Sequence, residues 1–151
     1  MVKKGPTVGG NGGSEFNLWS NDTPVAQLDV WYGRGSGVEF EKYTVLKGIK
    51  VRWADNDVDL VGSCPPEQQD PLHTSFDFEN YGDDPLEWMD IYGSTGRADS
   101  LRLVTRDEKD FFEAGGTGGG KCTQPAQGRK LYGFYGRAGY DIDQLGAVFS
   151  D

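Results

Sequence analysis

Three times along the chain an apolar or aromatic residue is followed by tyrosine and then glycine: Trp31-Tyr32-Gly33, Ile91-Tyr92-Gly93 and Phe134-Tyr135-Gly136. Each triplet closes an aromatic, strand-like run. Each is followed by a second run whose apolar residues alternate: Ile49, Val51 and Trp53, then Leu101, Leu103 and Thr105, then Leu145, Ala147 and Phe149. A period of two with β-branched and aromatic residues marks a half-buried strand. Every second run then meets an acidic residue, Asp55, Asp107 or Asp151, where a turn is expected. Units of roughly 40–50 residues with one apolar face cannot bury it alone, so three of them must pack on one another. The expectation is an all-β protein of three four-stranded antiparallel sheets with pseudo-threefold symmetry, one domain over residues 1–151.

Little helix is expected. Residues Thr105 to Ala114 include good helix formers, but Gly115 and Gly116 follow at once and no apolar stripe runs through them, so a short turn is predicted. The first unit has the longest gap between its two runs, and Val38 to Leu46, with Phe40 and Tyr43, reads as an extra strand-like piece. His73 to Phe78 reads as an early strand of the second unit. Glycine accounts for 23 of the 151 residues, about twice the usual share. The glycines lie mainly between apolar segments, where tight β turns use them. The run from Gly115 to Gly120 lacks the Gly-Lys-Ser/Thr ending of a phosphate loop, because Cys122 follows Lys121; it is read as a connection between strands.

The formal net charge of −9 argues against nucleic acid as a partner, since phosphates call for Lys and Arg. It disfavours an anionic membrane surface for the same reason, and it leaves neutral ligands such as sugars open. No apolar run approaches the roughly 18 residues of a membrane span, and no membrane insertion is expected. Met1 to Gly5 is polar and basic with no apolar stretch after it, so no ordinary secretory leader is read in the chain. The location is compatible with the cytoplasm or with secretion after processing. Cys64 and Cys122 leave a disulfide open, because spacing alone does not decide pairing.

The residues of the repeat carry a family resemblance. Gly9-Gly10-Asn11-Gly12-Gly13, followed by Phe16, resembles the opening of a jacalin-related lectin domain. Leu101 to Thr105 resembles its middle strand. The tail Gly133 to Gly139, then Ile142-Asp143-Gln144-Leu145-Gly146, resembles its closing signature, and the likeness extends from about Thr7 to Phe149. The resemblance implies a β-prism I fold of three Greek-key sheets and reversible binding of sugars at one end, without metal or cofactor.

Carried over position by position, the family's closing motif of glycine, three residues and aspartate is Gly139-Tyr140-Asp141-Ile142-Asp143. The resemblance then implies that Asp143 accepts hydrogen bonds from two sugar hydroxyls. The backbone amides of Tyr140 and Asp141 would donate to sugar oxygens, and the opening loop at Gly12 and Gly13 would add another amide. Gly139 is expected to permit a turn that a Cβ atom would oppose. The logic stands on its own chemistry, because a fixed carboxylate reads donors while fixed amides read acceptors. The ring of Tyr140 adds a face for the apolar side of a sugar. The side-chain direction of Asp141 is left open by the sequence. Galactose-preferring relatives are cut to free an amino group in the opening loop; this chain runs uncut from Met1 through Gly13, which favours mannose- or glucose-containing glycans. In the second unit Gly96-Arg97-Ala98-Asp99 is one residue shorter than the closing motif, and in the first unit Gly33 to Gly37 has no matching aspartate. The shortening disfavours a second site near Asp99 without deciding it, and no complete site of the same pattern is expected in the first unit.

Catalysis has little to rest on. Glycoside cleavage needs two carboxylates at a set separation, and no motif sets such a pair. His73 is the only histidine and has no partner in its local sequence, so it reads as a loop or strand-edge residue. The competing function is a non-catalytic module that keeps the fold but binds a protein or membrane surface. Trp31, Trp53 and Trp88 fall in strand-like runs and read as packing residues, whereas Trp19 reads as exposed. Homodimer formation, which multiplies weak single-site affinity, is compatible with the resemblance.

Overall fold

The computed structural model describes residues 2–66, 71–78, 84–106 and 110–151. Its strands are β1 (Val2–Lys4), β2 (Val8–Gly9), β3 (Ser14–Trp19), β4 (Val25–Arg34), β5 (Thr44–Trp53), β6 (Val58–Gly62), β7 (Leu72–Asp77), β8 (Leu86–Ser94), β9 (Arg97–Thr105), β10 (Phe111–Gly115), β11 (Gly120–Gln124), β12 (Leu131–Ala138) and β13 (Ile142–Ser150). The repeated triplets fall in the central antiparallel hairpins β4–β5, β8–β9 and β12–β13. Two outer strands flank each hairpin, in the orders β6-β5-β4-β7, β10-β9-β8-β11 and β1-β13-β12-β3, with the short β2 continuing β1 along β13. In the first two of these sheets the fourth strand returns to lie beside the first, which is a Greek key. In the third, strands from both ends of the chain complete the same arrangement.

The alternation in the sequence becomes the core. Leu28, Val30, Ile49, Val51, Met89, Ile91, Leu101, Leu103, Phe134, Leu145, Ala147 and Phe149 are all fully buried, and they form part of one continuous cluster with the inner faces of all three sheets. Register shifts recur at equivalent places near the start of each hairpin, at Val25/Gln27, Leu86/Trp88 and Leu131/Gly133. Bulges of this kind increase strand twist and let each sheet curl around the shared core. The sheets are also tied by polar contacts: the Trp53 indole Nε1 donates to the Tyr132 carbonyl at 2.9 Å. Gly136, the last residue of its triplet, lies at φ 153° with its backbone pressed on Gln144, where a side chain would meet the Gln144 carbonyl carbon at 2.7 Å.

Three local expectations need correction. Residues 38–43 form a turn rather than a strand, and β5 begins only at Thr44. Phe40 has its ring against Gly96 instead of lying in a ladder. The run His73 to Phe78 belongs to the first sheet, where β7 pairs with β4, and not to the second unit. The stretch read as a short turn before Gly115 contains the edge strand β10: Phe112 and Ala114 face inward while Phe111 is exposed. Its two-residue alternation begins inside helix-forming residues, which masked it. Asp107 lies outside the described residues. The loop between Gly115 and Gly120 is the expected connection, joining β10 to β11. Cys64 and Cys122 are both free thiols, and burial pushes the Cys64 thiol up to about 11.

Candidate functional site

The three central hairpins all turn at the same pole of the molecule, so their loops are directly comparable. At the start of β9 the carboxylate of Asp99 is fully buried, and the Arg97 Nε donates to both of its oxygens at 3.0 Å. Arg97 is itself capped by the Tyr43 ring, 3.8 Å from the guanidinium. This carboxylate is closed off and used internally. In the β4–β5 loop the Ser36 amide and hydroxyl donate to Asp141 at 2.7 and 2.9 Å, so they too are occupied. In the β12–β13 hairpin one carboxylate has no internal donor among the described residues.

That carboxylate is Asp143, at the start of β13 and half-buried. Among the described residues no side chain or amide donates a hydrogen bond to it. Burial, and after it the like charge of Asp141, hold its carboxyl above the usual aspartate range, with Arg137 pulling the other way. Asp143 faces the opening loop: a Cβ on Gly12 would lie 3.3 Å from its Cγ. Gly13 sits at φ 64°, and a side chain there would meet the Asp143 Oδ2 at 2.7 Å and the Ala138 carbonyl carbon at 2.5 Å. Glycine is therefore required at Gly13 for both conformation and space. Hydrogen bonds fix the opening loop over the hairpin. The Gly10 amide donates to the Asp143 carbonyl at 2.8 Å, and the Arg137 guanidinium donates to the carbonyls of Gly12 and Gly13 at 3.1 and 3.0 Å.

Gly139 differs from expectation. It does not adopt the left-handed backbone, and a Cβ there would make only ordinary contacts, 3.8 Å from the Gly13 Cα and 3.9 Å from the Asp143 Oδ2. Its value is room: a side chain would stand in the mouth between the opening loop and the carboxylate. Tyr140 is 82 % exposed, and its carbonyl accepts from the Ser63 hydroxyl at 2.9 Å. The amides of Tyr140 and Asp141 donate to no acceptor among the described residues. The side chain of Asp141, whose direction the sequence left open, turns inward. It is buried and forms an ion pair with Lys47 at 2.5 Å.

The structure thus brings Gly12, Gly13, Gly139, Tyr140, Asp141 and Asp143 to one pole, and it adds Arg137, Ser36 and Lys47 as supporting residues the sequence did not reveal. Their signal was absent because Ser36 and Lys47 come from another sheet. His73 also gained unforeseen partners: its Nε2 lies 2.8 Å from the Asp29 carboxylate, and its ring stacks on Trp31 at 4.3 Å. The Ser75 hydroxyl donates to Asp29 at 2.6 Å and also lies 3.4 Å from the same His73 Nε2. A serine triad uses the two ring nitrogens separately, one toward the serine and one toward the carboxylate, whereas here Nε2 faces both. Among the described residues no group of side chains fits a metal ion. Trp19 is half-buried rather than exposed, with the Lys4 ammonium 5.0 Å from its ring.

Comparison with known proteins places this architecture. "PYK10-binding protein 2" of Arabidopsis thaliana is 27 % identical over 161 residues, covering 99 % of this chain and 48 % of that protein. The chain therefore spans about half the length of that relative. The lamprey immune protein matches with a TM-score of 0.79 at 21 % identity, over 99 % of this chain and 44 % of that one. The Malaysian banana lectin matches with a TM-score of 0.71 at 22 % identity, over 99 % and 98 % of the two chains. AcmJRL, a mannose binding jacalin related lectin from Ananas comosus, matches with a TM-score of 0.71 at 14 % identity, over 99 % and 97 %. The structural likenesses establish a shared β-prism fold. The Jacalin-like lectin domain model matches residues 6–148, and the chain belongs to that family, a non-catalytic lectin family whose general activity is carbohydrate binding.

Proposed function

We propose that this chain binds mannose- or glucose-containing glycans reversibly, without catalysis, at the pole formed by Gly12, Gly13, Gly139, Tyr140, Asp141 and Asp143. The observation that carries the reading is the Asp143 carboxylate. It is half-buried, has no internal donor among the described residues, and stands beside two unused amides, those of Tyr140 and Asp141. A sugar hydroxyl both donates and accepts, so this combination satisfies it in one orientation. The name of the Ananas comosus relative supports mannose as the class of sugar. The other nearby carboxylate, Asp141, is held by Lys47 and Ser36 rather than free to act as the second carboxylate that glycoside hydrolysis requires.

Calorimetric titration with mannose, glucose and galactose tests the reading. Saturable binding of mannose or glucose is expected, weak for a single site because hydroxyls must be desolvated. A preference for galactose would overturn the sugar assignment. Binding should also depend on pH in a set direction. The sugar needs the ionised carboxylate, and the Asp143 carboxyl lies above the usual aspartate range. Affinity is therefore expected to fall on acidification at a higher pH than an ordinary aspartate would give. An acid limb at or below the ordinary aspartate value would contradict this site.

The likeness to PYK10-binding protein 2 favours a second reading, a module of the same fold that engages a protein surface. Absence of binding to all three sugars, even at roughly tens of millimolar, together with capture of a protein partner, would favour it.

A further inference from the structure

The sugar loop does not hold its own shape. Asp141 lies two residues from Asp143, and two carboxylates so close repel each other. The Asp141 side chain is drawn away from the site by residues of the neighbouring sheet. The Lys47 ammonium, from β5, pairs with its Oδ1 at 2.5 Å. The Ser36 amide donates to Oδ2 at 2.7 Å and the Ser36 hydroxyl to Oδ1 at 2.9 Å. Lys47 is itself tied to the β4–β5 loop, donating to the Arg34 carbonyl at 2.8 Å and the Ser36 hydroxyl at 3.0 Å. Both side chains of the pair are largely buried, at 12 % and 10 % exposure, where screening is weak and geometry is fixed by packing. One more bond, from the Ser63 hydroxyl to the Tyr140 carbonyl at 2.9 Å, secures the other side of the loop. The first sheet thus supplies the clamp, and the hairpin of another sheet supplies the groups offered to ligand.

We propose that Lys47 is a positioning residue of the sugar site, which pins Asp141 across the sheet boundary and thereby aims the Tyr140 and Asp141 amides while partly offsetting the Asp141 charge that opposes Asp143. The proposal rests on the carbohydrate reading of this pole. It assigns the affinity of the β12–β13 loop to a residue nearly a hundred positions away in sequence that itself touches no ligand. The charged groups around the two carboxylates are few. Lys47 faces Asp141; Asp141 and Arg137 act on Asp143; Glu15 on β3 approaches Arg137 at 3.6 Å; and the opening loop at Gly12 and Gly13 contributes no titratable side chain.

The signs follow from this arrangement. Removing the lysine leaves the Asp141 charge uncompensated, which disfavours the ionised form of Asp143. Neutralising Asp141 instead removes the like charge and favours it. The experiment is a carboxyl-detected NMR titration of Asp143 in the full chain without sugar, for the wild type, Lys47→Met, Lys47→Arg and Asp141→Asn. Sugar affinity is measured against pH for the same proteins with whichever of mannose or glucose binds the wild type. Lys47→Met is expected to move the Asp143 midpoint up by about half a pH unit and to carry the acid limb of binding with it. Asp141→Asn is expected to move both down, and Lys47→Arg to leave both near the wild type. Asp141→Asn keeps an acceptor for Ser36 and nearly the same shape, so it remains informative if Lys47→Met does not fold. Midpoints unchanged in Lys47→Met, or shifts of the same sign in Lys47→Met and Asp141→Asn, would overturn the proposal. A wild type that binds neither sugar would overturn the carbohydrate reading, while the NMR midpoints would still report whether Lys47 sets the charge state of Asp143.

Discussion

Asp143→Ala is expected to weaken binding of the preferred sugar by about 100-fold or more while leaving the fold intact. Hydrogen bonds to a charged acceptor contribute roughly 1.5–3 kcal/mol each, and a carboxylate that receives two hydroxyls loses both. A combined loss of about 3 kcal/mol is close to 100-fold in the dissociation constant. The fold should survive because the Asp143 side chain accepts no hydrogen bond among the described residues, and its removal also relieves the repulsion with Asp141. Thermal unfolding of the variant should therefore occur at or slightly above the wild-type temperature. Calorimetry beside a melting curve separates the two effects. A folded variant that binds as tightly as the wild type would remove Asp143 from the site.

The largest expected loss of stability comes from Phe134→Ala. Phe134 is fully buried and is among the largest of the fully buried side chains. It lies in β12, packed in the cluster that receives the inner faces of all three sheets. Truncation forfeits the transfer of an aromatic side chain from water and leaves a cavity that three curved sheets cannot easily close; phenylalanine-to-alanine changes of this kind cost about 3–5 kcal/mol. Urea denaturation of the variant against the wild type measures it. A loss below about 1 kcal/mol would mean that the core collapses into the space and that the sheets are less rigidly set against one another than their ladders suggest.

The architecture was legible because it repeats. The triplets at Tyr32, Tyr92 and Tyr135, each with an alternating run behind it, carry inward-facing residues at a period of two, and the structure places those runs in three equivalent hairpins. The outer strands were harder to read. β7 has the same alternation, but register and partner are tertiary properties, and its pairing with β4 leaves no mark in the sequence between His73 and Phe78. β10 was hidden by residues that favour helix locally, an instance of burial overriding propensity. The residues brought together at the pole were legible as a motif, but their roles were only partly so. Gly139 suggested a backbone need that Gly13 meets instead. The inward turn of Asp141 depends on Ser36 and Lys47, which contact it only after two sheets have packed.

The pairing of β1 with β13 has a consequence for connectivity. Val2 lies opposite Ser150, so β13 and β1 are neighbours in their sheet although no turn joins them, while the equivalent neighbours β5 and β6, and β9 and β10, are consecutive along the chain. Among the described strands the topology is a ring of three equivalent links with one link unclasped. Within residues 2–151, a short linker from Ser150 to Val2 and a new break at the turn Ala54–Asp57 would exchange which link is unclasped and leave every ladder in place. The core does not encode a first sheet and a last one; sequence order is a label laid over a circular object.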